Sequence, residues 1–267
     1  MAMPNQPNLA GLRVLVTRPI DRSAELQSAL CEAGATVVLQ PLLAIAELLG
    51  SSPAALASRQ RIMNLNDYQH LIFISVNAVE HGLDLVDQFW PQWPLGLQVH
   101  AIGAATAAAL KQRDIAVASG NGLAMNSESL LQNAALQNLQ GQKVLIFRGL
   151  GGREYLAEQL LAQGARVDYA ECYQRLKPEI DSGQFKQLLL QQKINTICVN
   201  SGETLAHLHE LLIGSAAQFH LLLPSARVVA LARELGFKRL LQAENAGTEA
   251  SLKALQVLAE SIKPESY

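Results

Sequence analysis

The feature of this sequence that most limits its possible folds is an internal repeat. A window the size of a βαβ unit recurs without a gap at a constant spacing of 130 residues. The matching pairs are Val14 and Val144, Arg18 and Arg148, Leu26 and Leu156, Leu30 and Leu160, Gly34 and Gly164, Ala35 and Ala165, and Val37 and Val167. The match indicates internal duplication of a unit far longer than a solenoid repeat.

The repeat continues beyond this window, although its spacing shrinks. Residues 196–203 match residues 71–76 and the turn that follows at a spacing near 126, and residues 221–225 match residues 99–103 at a spacing near 121. Thr248-Glu249 likewise matches Ser127-Glu128. Small deletions explain the shrinking spacing, so the sequence predicts two similar units of roughly 120 to 130 residues, in keeping with the usual size of a domain.

Short apolar runs alternate with amphipathic segments along both units. The runs are short enough for buried parallel strands, and glycines such as Gly34 end the helices that precede some of them. The predicted strands are residues 13–16, 36–39, 71–74, 99–102, 115–117, 144–147, a run ending in residues 171–175, 196–199 and 221–223. Alternation of this kind is typical of an α/β fold with parallel sheets and right-handed crossovers.

Charge and cysteine usage exclude several classes of protein. The net charge is only -2, so no whole-molecule field attracts nucleic acid or an anionic membrane. Three cysteines without a CxxC pair favour a reducing compartment, and we expect Cys31 and Cys198 to be buried thiols. The polar N-terminus does not resemble a signal peptide, and no apolar run reaches the roughly 18 residues of a membrane span. A cytoplasmic protein is expected.

Polar or glycine-containing turns follow four of the predicted strands: Thr17-Arg18, Ser75, residues 103–106 and Arg148-Gly149. In parallel sheets, ligands bind outside the carboxyl ends of the strands, where helix N-termini offer free N–H groups to anions. Such turns suit carboxylates or phosphates, although Ser and Thr also cap helices there without any ligand. Arg18 and Arg148 hold equivalent positions, where a guanidinium either grips a carboxylate or braces the repeat.

Other kinds of chemistry find little support. The glycine-rich turn at residues 148–153 matches neither GxxxxGK[ST] nor GxGxxG, so it is not a nucleotide loop. The six histidines include no HExxH pair, and no GxSxG elbow is present. Tyr173 lies just past a strand, between Glu171 and Arg175, at an expected domain connection. Its phenol either packs in the half-buried manner usual for tyrosine or faces a cleft.

Taken together, these segments resemble the uroporphyrinogen-III synthase family. No one segment is specific, but they occur in the family's order over nearly the whole chain. They are residues 14–19 (VLVTRP), 41–42 (PL), 73–79 (FISVNAV), 101–106 (AIGAAT), 126–131 (NSESLL), 147–156 (FRGLGGREYL), 164–175 (ending in YQR) and 200–202 (NSG).

The resemblance implies two flavodoxin-like domains joined by a two-stranded connector, with the active site in the cleft between them. One domain would be discontinuous, comprising residues 1–39 and 178–267, and residues 45–169 would form the inserted domain. The connector strands would be residues 40–44 and 170–177. A monomer is expected, because no long apolar surface helix is left over.

The resemblance also implies an enzyme that closes hydroxymethylbilane, a linear tetrapyrrole polycarboxylate, into uroporphyrinogen III. Loss of the terminal hydroxyl gives an azafulvenium cation, and attack by the substituted carbon of the last pyrrole gives a spiro intermediate that fragments and recloses with that ring inverted. No metal or organic cofactor is expected. Such an enzyme holds a flexible substrate in one conformation and assists the departure of hydroxide.

The resemblance assigns roles to six residues. Tyr173 matches the family tyrosine that assists hydroxide departure, and Ser75, Thr106 and Ser201 match hydroxyls that line the cleft and hold carboxylate arms. Arg18 and Arg148 match recurrent arginines whose role, in binding substrate or in bracing the fold, stays open. The second repeat has Ser225 near the position that corresponds to Thr106, so Thr106 has no threonine counterpart and Ser225 is only a weak candidate.

Two other classes of function remain as alternatives. Duplicated α/β lobes around a cleft also describe two-lobed binding proteins for small molecules, although the missing export signal disfavours that class. The fold can also serve as an interaction module in a larger assembly of the haem pathway.

Overall fold

A computed structural model describes residues 8–118, 126–213 and 218–262, which contain ten β-strands and ten α-helices. The strands are β1 (Arg13–Val16), β2 (Thr36–Leu39), β3 (Ala44–Glu47), β4 (His70–Phe73), β5 (Gln98–Ala101), β6 (Lys143–Gly149), β7 (Arg166–Leu176), β8 (Thr196–Cys198), β9 (His220–Leu223) and β10 (Arg239–Gln242). The helices are α1 (Ala24–Glu32), α2 (Pro53–Met63), α3 (Val76–Val86), α4 (Ala104–Gln112), α5 (Ser127–Leu130), α6 (Tyr155–Ala162), α7 (Ser182–Gln191), α8 (Gly202–Leu211), α9 (Ala226–Glu234) and α10 (Thr248–Ile262).

The chain forms two compact units, which confirms the predicted α/β class with two parallel-sheet domains. One unit is Met1–Ala44 with Leu176–Tyr267, and the other is Ile45–Arg175. The finer boundaries predicted above, including the connector strands at residues 40–44 and 170–177, stay a prediction. No helix in the described part of the chain is long and apolar enough to cross a membrane.

The sheet of the discontinuous unit has the strand order β10-β9-β8-β1-β2, and every neighbouring pair is parallel. If these five strands are numbered from one to five in chain order, the order across the sheet is 2-1-3-4-5. This is the doubly wound arrangement of flavodoxin-like folds. Successive side chains of a strand point to opposite faces, so Leu15 and Ile197 pack with α7, α8 and α9, whereas Val14 and Val16 pack with α1 and α10. Helices therefore cover both faces, as a buried parallel sheet requires.

The sheet of the inserted unit has the strand order β3-β7-β6-β4-β5. Its last four strands are parallel neighbours, with Phe73 and Phe147 facing α2, α3 and α4 and Ile72 and Ile146 facing α5 and α6. The segment β6-α6-β7 repeats β1-α1-β2, and β4 and β5 hold the places of β8 and β9. The two units thus share an arrangement of four strands, whereas their fifth strands lie at opposite edges, β10 beside β9 and β3 beside β7. The duplicated βαβ segment comes first in one unit and last in the other.

Some local predictions were wrong. Residues 115–117 form no strand, although the Ala118 N–H that follows them donates to the Val99 carbonyl of β5 at 2.7 Å. Cys31 is exposed, whereas Cys198 is buried as predicted. Strands β3 and β10 were not predicted. The sequence also predicts a glycine-containing turn at residues 120–122 (GNG), and these residues lie outside the described part of the chain.

Candidate functional site

The predicted site residues of the inserted unit lie at the carboxyl ends of its parallel strands. Ser75 follows β4, Thr106 lies in the first turn of α4 after β5, and Arg148 and Tyr173 lie near the ends of β6 and β7. Because neighbouring parallel strands end at the same edge of a sheet, the fold brings these four positions to one edge.

Two of these side chains are in direct contact. The hydroxyl oxygen of Tyr173 lies 3.1 Å from Oγ of Ser75, and Ser75 also caps α3 by accepting a hydrogen bond from the Ala78 N–H at 3.1 Å. Tyr173 is only 1% exposed. Its hydroxyl is therefore held at the N-terminus of α3, where the free N–H groups of the first turn favour negative charge.

A β-bulge sets the position of Tyr173. Arg148 is paired with Glu171, but Gly149 is paired with Tyr173, so Cys172 is the extra residue on β7. The Leu150 N–H then donates to the Tyr173 carbonyl at 2.7 Å. Bulges bend a strand and redirect its side chains, and they are frequent beside active sites. Without the bulge, residue 173 would point to the opposite face of the sheet.

The ring of Tyr173 is enclosed by Gly149 and His81, and the sequence predicted neither contact. A Cβ atom on Gly149 would lie 2.7 Å from Cε2 and 2.8 Å from Cζ of this ring, so the close approach requires glycine. The imidazole of His81 stacks on the ring, with centroids 5.6 Å apart and planes 30° apart. His81 follows Ser75 by six residues and lies in the helix that Ser75 caps, but the sequence alone gave no sign of this contact.

Arg148, near the end of β6, contacts the glycine-rich loop that follows this strand and Tyr169 on the neighbouring strand β7. One guanidinium nitrogen donates to Glu154 at 3.1 Å, another donates to the Gly151 carbonyl, and the guanidinium lies 4.5 Å from the centre of the Tyr169 ring. The Tyr169 hydroxyl donates to the second carboxylate oxygen of Glu154. Hydrogen bonds from Tyr169 and then from Arg148 lower the pKa of Glu154. This buried arginine closes the glycine-rich loop.

Thr106 lies on the same sheet edge but further along it. Its side chain is 3% exposed, and β5 is separated from β7 by β4 and β6. Gly103 precedes the helix with a φ of 89°, a conformation that favours glycine. Thr106 therefore follows an edge strand that is three strands away from the strand of Tyr173, and it does not take part in the contact between Ser75 and Tyr173.

The discontinuous unit carries Arg18 and Ser201 at the ends of the neighbouring strands β1 and β8. Arg18 donates to the Ala246 carbonyl, and burial lowers the pKa of its guanidinium. Ser201 caps α8 by accepting from the Thr204 N–H at 3.1 Å, and its Oγ lies 2.9 Å from Oγ1 of Thr204. Ser225 occupies the N-cap position of α9 without a side-chain capping bond.

In the part of the chain that the structure describes, metal-binding groups are not gathered at either sheet edge. Within residues 8–118, 126–213 and 218–262, no group of three or more His, Cys, Asp or Glu side chains is arranged to hold a metal ion. The two edges instead present hydroxyls, helix N-termini and arginines, which are groups that recognise anions.

Comparisons with known proteins identify the family. The family model described as uroporphyrinogen-III synthase HemD matches residues 24–253. The chain is 35% identical over 258 residues to uroporphyrinogen-III synthase from Salmonella typhimurium, covering 92% of this chain and 100% of that protein. It is 33% identical over 255 residues to the Escherichia coli uroporphyrinogen-III synthase, with the same coverage.

Solved structures share the fold at lower sequence identity. A mutant uroporphyrinogen III synthase from Thermus thermophilus aligns with a TM-score of 0.61 at 17% identity, covering 95% of this chain and 100% of that chain. Uroporphyrinogen-III synthetase from Helicobacter pylori aligns with a TM-score of 0.59 at 16% identity, covering 94% of this chain and 100% of that chain. The extent of the family match and the identity to full-length relatives agree with the predicted resemblance, and the chain belongs to the uroporphyrinogen-III synthase family.

Proposed function

We propose that Tyr173 donates a proton to the terminal hydroxyl of hydroxymethylbilane as that group leaves, and that the protein then closes the azafulvenium cation into uroporphyrinogen III with the last ring inverted. The observation that carries this proposal is the hydrogen bond between Tyr173 and Ser75 at the N-terminus of α3. The hydroxyl of the substrate leaves as water, and Tyr173 is left as a phenolate.

Ser75 has a second part in this step. Its Oγ already accepts the Ala78 N–H, so its own proton is free to be donated to the oxygen of Tyr173. As the phenol loses its proton, the Ser75 hydroxyl stabilises the negative charge that develops on the phenolate oxygen. The proton returns to Tyr173 after ring closure, when the inverted ring loses the proton of its newly bonded carbon.

The substrate's carboxylates require groups that recognise anions. The hydroxyls of Ser75, Thr106 and Ser201 all lie at helix N-termini, where backbone N–H groups and the helix dipole favour negative charge. Of the two arginines, Arg18 is the better candidate for a substrate contact. Arg148 is committed to Glu154, Gly151 and Tyr169, and it contributes by holding the loop that follows β6.

The proposed reaction needs no cofactor, because it consists of proton transfers and the breaking and forming of bonds within one substrate. The test is to supply freshly made hydroxymethylbilane to the purified protein after dialysis against a chelator, oxidise the products, and separate the type I and type III porphyrins. Predominant type III isomer supports the proposal. Type I isomer at the spontaneous rate would contradict it and favour a two-lobed binding protein without catalysis.

We further propose that the protein acts as a cytoplasmic monomer. The three cysteines, which lack a metal-binding or disulfide pattern, support a reducing compartment. The sequence pattern, in which no long apolar surface helix is left over, supports a monomer. Light scattering coupled to size-exclusion chromatography should give the mass of one chain, 28.9 kDa. Twice that mass would contradict the monomer.

A further inference from the structure

We infer that His81 is a positioning residue for Tyr173. This inference rests on the proposed role of Tyr173 as the proton donor. The carrying observation is that the imidazole stacks on the phenol ring, with centroids 5.6 Å apart. In the proposed reaction, His81 neither donates nor accepts a proton.

Three contacts together fix the phenol. Ser75 holds the hydroxyl, the bare Cα of Gly149 lies close to one part of the ring, and His81 stacks on the ring. Tyrosine has two side-chain torsions, χ1 and χ2, and packing against the ring limits both. Without the imidazole, the ring gains freedom to rotate, and its hydroxyl can leave the position that Ser75 sets.

His81 and Ser75 also belong to the same rigid element. Ser75 is the N-cap of α3, and His81 lies within that helix, whose residues Ala78, Val79 and Leu83 are buried in the core of the inserted unit. The helix therefore supplies both the hydrogen-bonding partner and the stacking partner of Tyr173. A site built on a packed helix holds its geometry better than one built on a loop.

The stacked arrangement determines what the imidazole can do. Its ring nitrogens lie in the plane of the ring, so stacking does not direct an N–H group at the phenol oxygen. The side chain also borders a small cavity of about 80 Å³ that is lined in part by Glu47, Asp84 and Glu171. His81 therefore acts through its flat face, and a planar apolar ring should replace it.

The test is a double-mutant cycle of His81→Ala and Tyr173→Phe, read as kcat and KM for formation of the type III isomer. We expect His81→Ala to lower kcat by about tenfold with KM within about twofold, since a small misplacement of a catalytic group is costly. His81→Phe should recover most of that loss. The double variant should be no slower than Tyr173→Phe, because His81 acts only through the phenol hydroxyl.

His209→Ala is the matched control, since His209 forms a ring contact with Phe237, with centroids 6.0 Å apart, in the other unit. It should leave kcat within about twofold. A His81→Ala enzyme with wild-type kcat, or a loss that adds fully to that of Tyr173→Phe, would overturn the inference alone. Wild-type turnover by Tyr173→Phe would instead overturn the proposed role of the tyrosine, and the inference with it.

Discussion

The hydroxyl of Tyr173 lies 3.1 Å from Oγ of Ser75, although 98 residues separate the two in the chain. Ser75 serves both this contact and the N-terminus of α3, where it accepts the Ala78 N–H. One serine side chain thus couples the start of a core helix to the proposed proton donor.

Ser75→Ala should reduce both turnover and stability. The loss of a helix cap costs about 1 kcal/mol of unfolding free energy, and the phenol also loses the hydroxyl that holds it. We expect kcat to fall by about tenfold or more. Urea denaturation and initial rates measure the two effects. Ser52→Ala is the matched control, because Ser52 caps α2 in the same way at 3.2 Å. If both variants lose the same stability and neither loses turnover, the contact has no catalytic part.

Gly149→Ala should lower kcat by displacing the phenol. The added Cβ would lie 2.7 Å from Cε2 of Tyr173, so the ring or the strand must move. Overpacking of this kind costs about 1 to 3 kcal/mol in stability. Gly96→Ala is the control, since Gly96 has a φ of 81° and no atom within 4 Å of the added Cβ, so that only backbone strain is introduced. Wild-type kcat in Gly149→Ala, measured on protein shown to be folded, would contradict a requirement for the observed ring position.

Arg148→Met and Arg18→Met should have different effects. Arg148 holds Glu154, Gly151 and Tyr169 together, so its replacement should lower the unfolding free energy by about 2 kcal/mol, with a smaller effect on KM. Replacement of Arg18 should mainly raise KM for the polycarboxylate substrate. Denaturation and steady-state rates separate the two effects. A large rise in KM with unchanged stability in Arg148→Met would assign that arginine to the substrate instead.

The buried pair His70 and His100 should make the inserted unit sensitive to acid. The two rings are in contact through Nδ1 and Nε2 at 3.1 Å, and burial, followed by the neighbouring His70, lowers the pKa of His100 from 6.5 to about 4. The unfolded chain then binds a proton at this site at higher pH than the folded chain does. The buried, neutral state of His100 therefore contributes fully to the free energy of unfolding above pH 6.5. As the pH falls from 6.5 towards 4, the free energy of unfolding decreases by up to about 3 kcal/mol from this site.

Tryptophan fluorescence can measure this effect in one unit, because the chain's two tryptophans, Trp90 and Trp93, both pack against the core of the inserted unit. Urea denaturation followed by fluorescence between about pH 4 and 7.5 should show a steeper loss of stability in the wild type than in His100→Gln. Identical pH profiles would contradict a buried, neutral His100.

The pattern of apolar runs and glycine caps was sufficient to predict the class of fold. Strands such as β1 and β2 are short apolar segments beside clear helix signals, and their predicted bounds match the structure. By contrast, β10 (RLLQ) is partly exposed at the sheet edge and has few apolar residues, so it gave little signal. Residues 115–117 have the apolar composition of a strand, but among the described residues the only backbone hydrogen bond that links this segment to a neighbouring strand is the one made by Ala118.

The strand ends near which the site residues lie could also be predicted, although Arg148 and Tyr173 lie within β6 and β7 rather than after them. The contacts of these residues could not be predicted. The bulge at Cys172 depends on strand pairing and leaves no mark in the local sequence. Glu154 and Tyr169 lie 6 and 21 residues from Arg148 in the chain. The folded loop brings Glu154 to the guanidinium, and the pairing of β6 with β7 brings Tyr169. Stacking of His81 on Tyr173 likewise depends on how α3 packs against β7.

The role of the phenol hydroxyl as proton donor is tested by the turnover of Tyr173→Phe with hydroxymethylbilane, scored as type III isomer. Phenylalanine keeps the ring between Gly149 and His81 and removes only the hydroxyl. We predict that kcat falls by about a hundredfold while KM stays within about twofold. Tyr68→Phe is the matched control, because Tyr68 loses a hydroxyl that donates to Asp168 at 3.0 Å, and its kcat should be unchanged. A Tyr173→Phe enzyme that forms type III isomer at the wild-type rate would show that Tyr173 is not the proton donor.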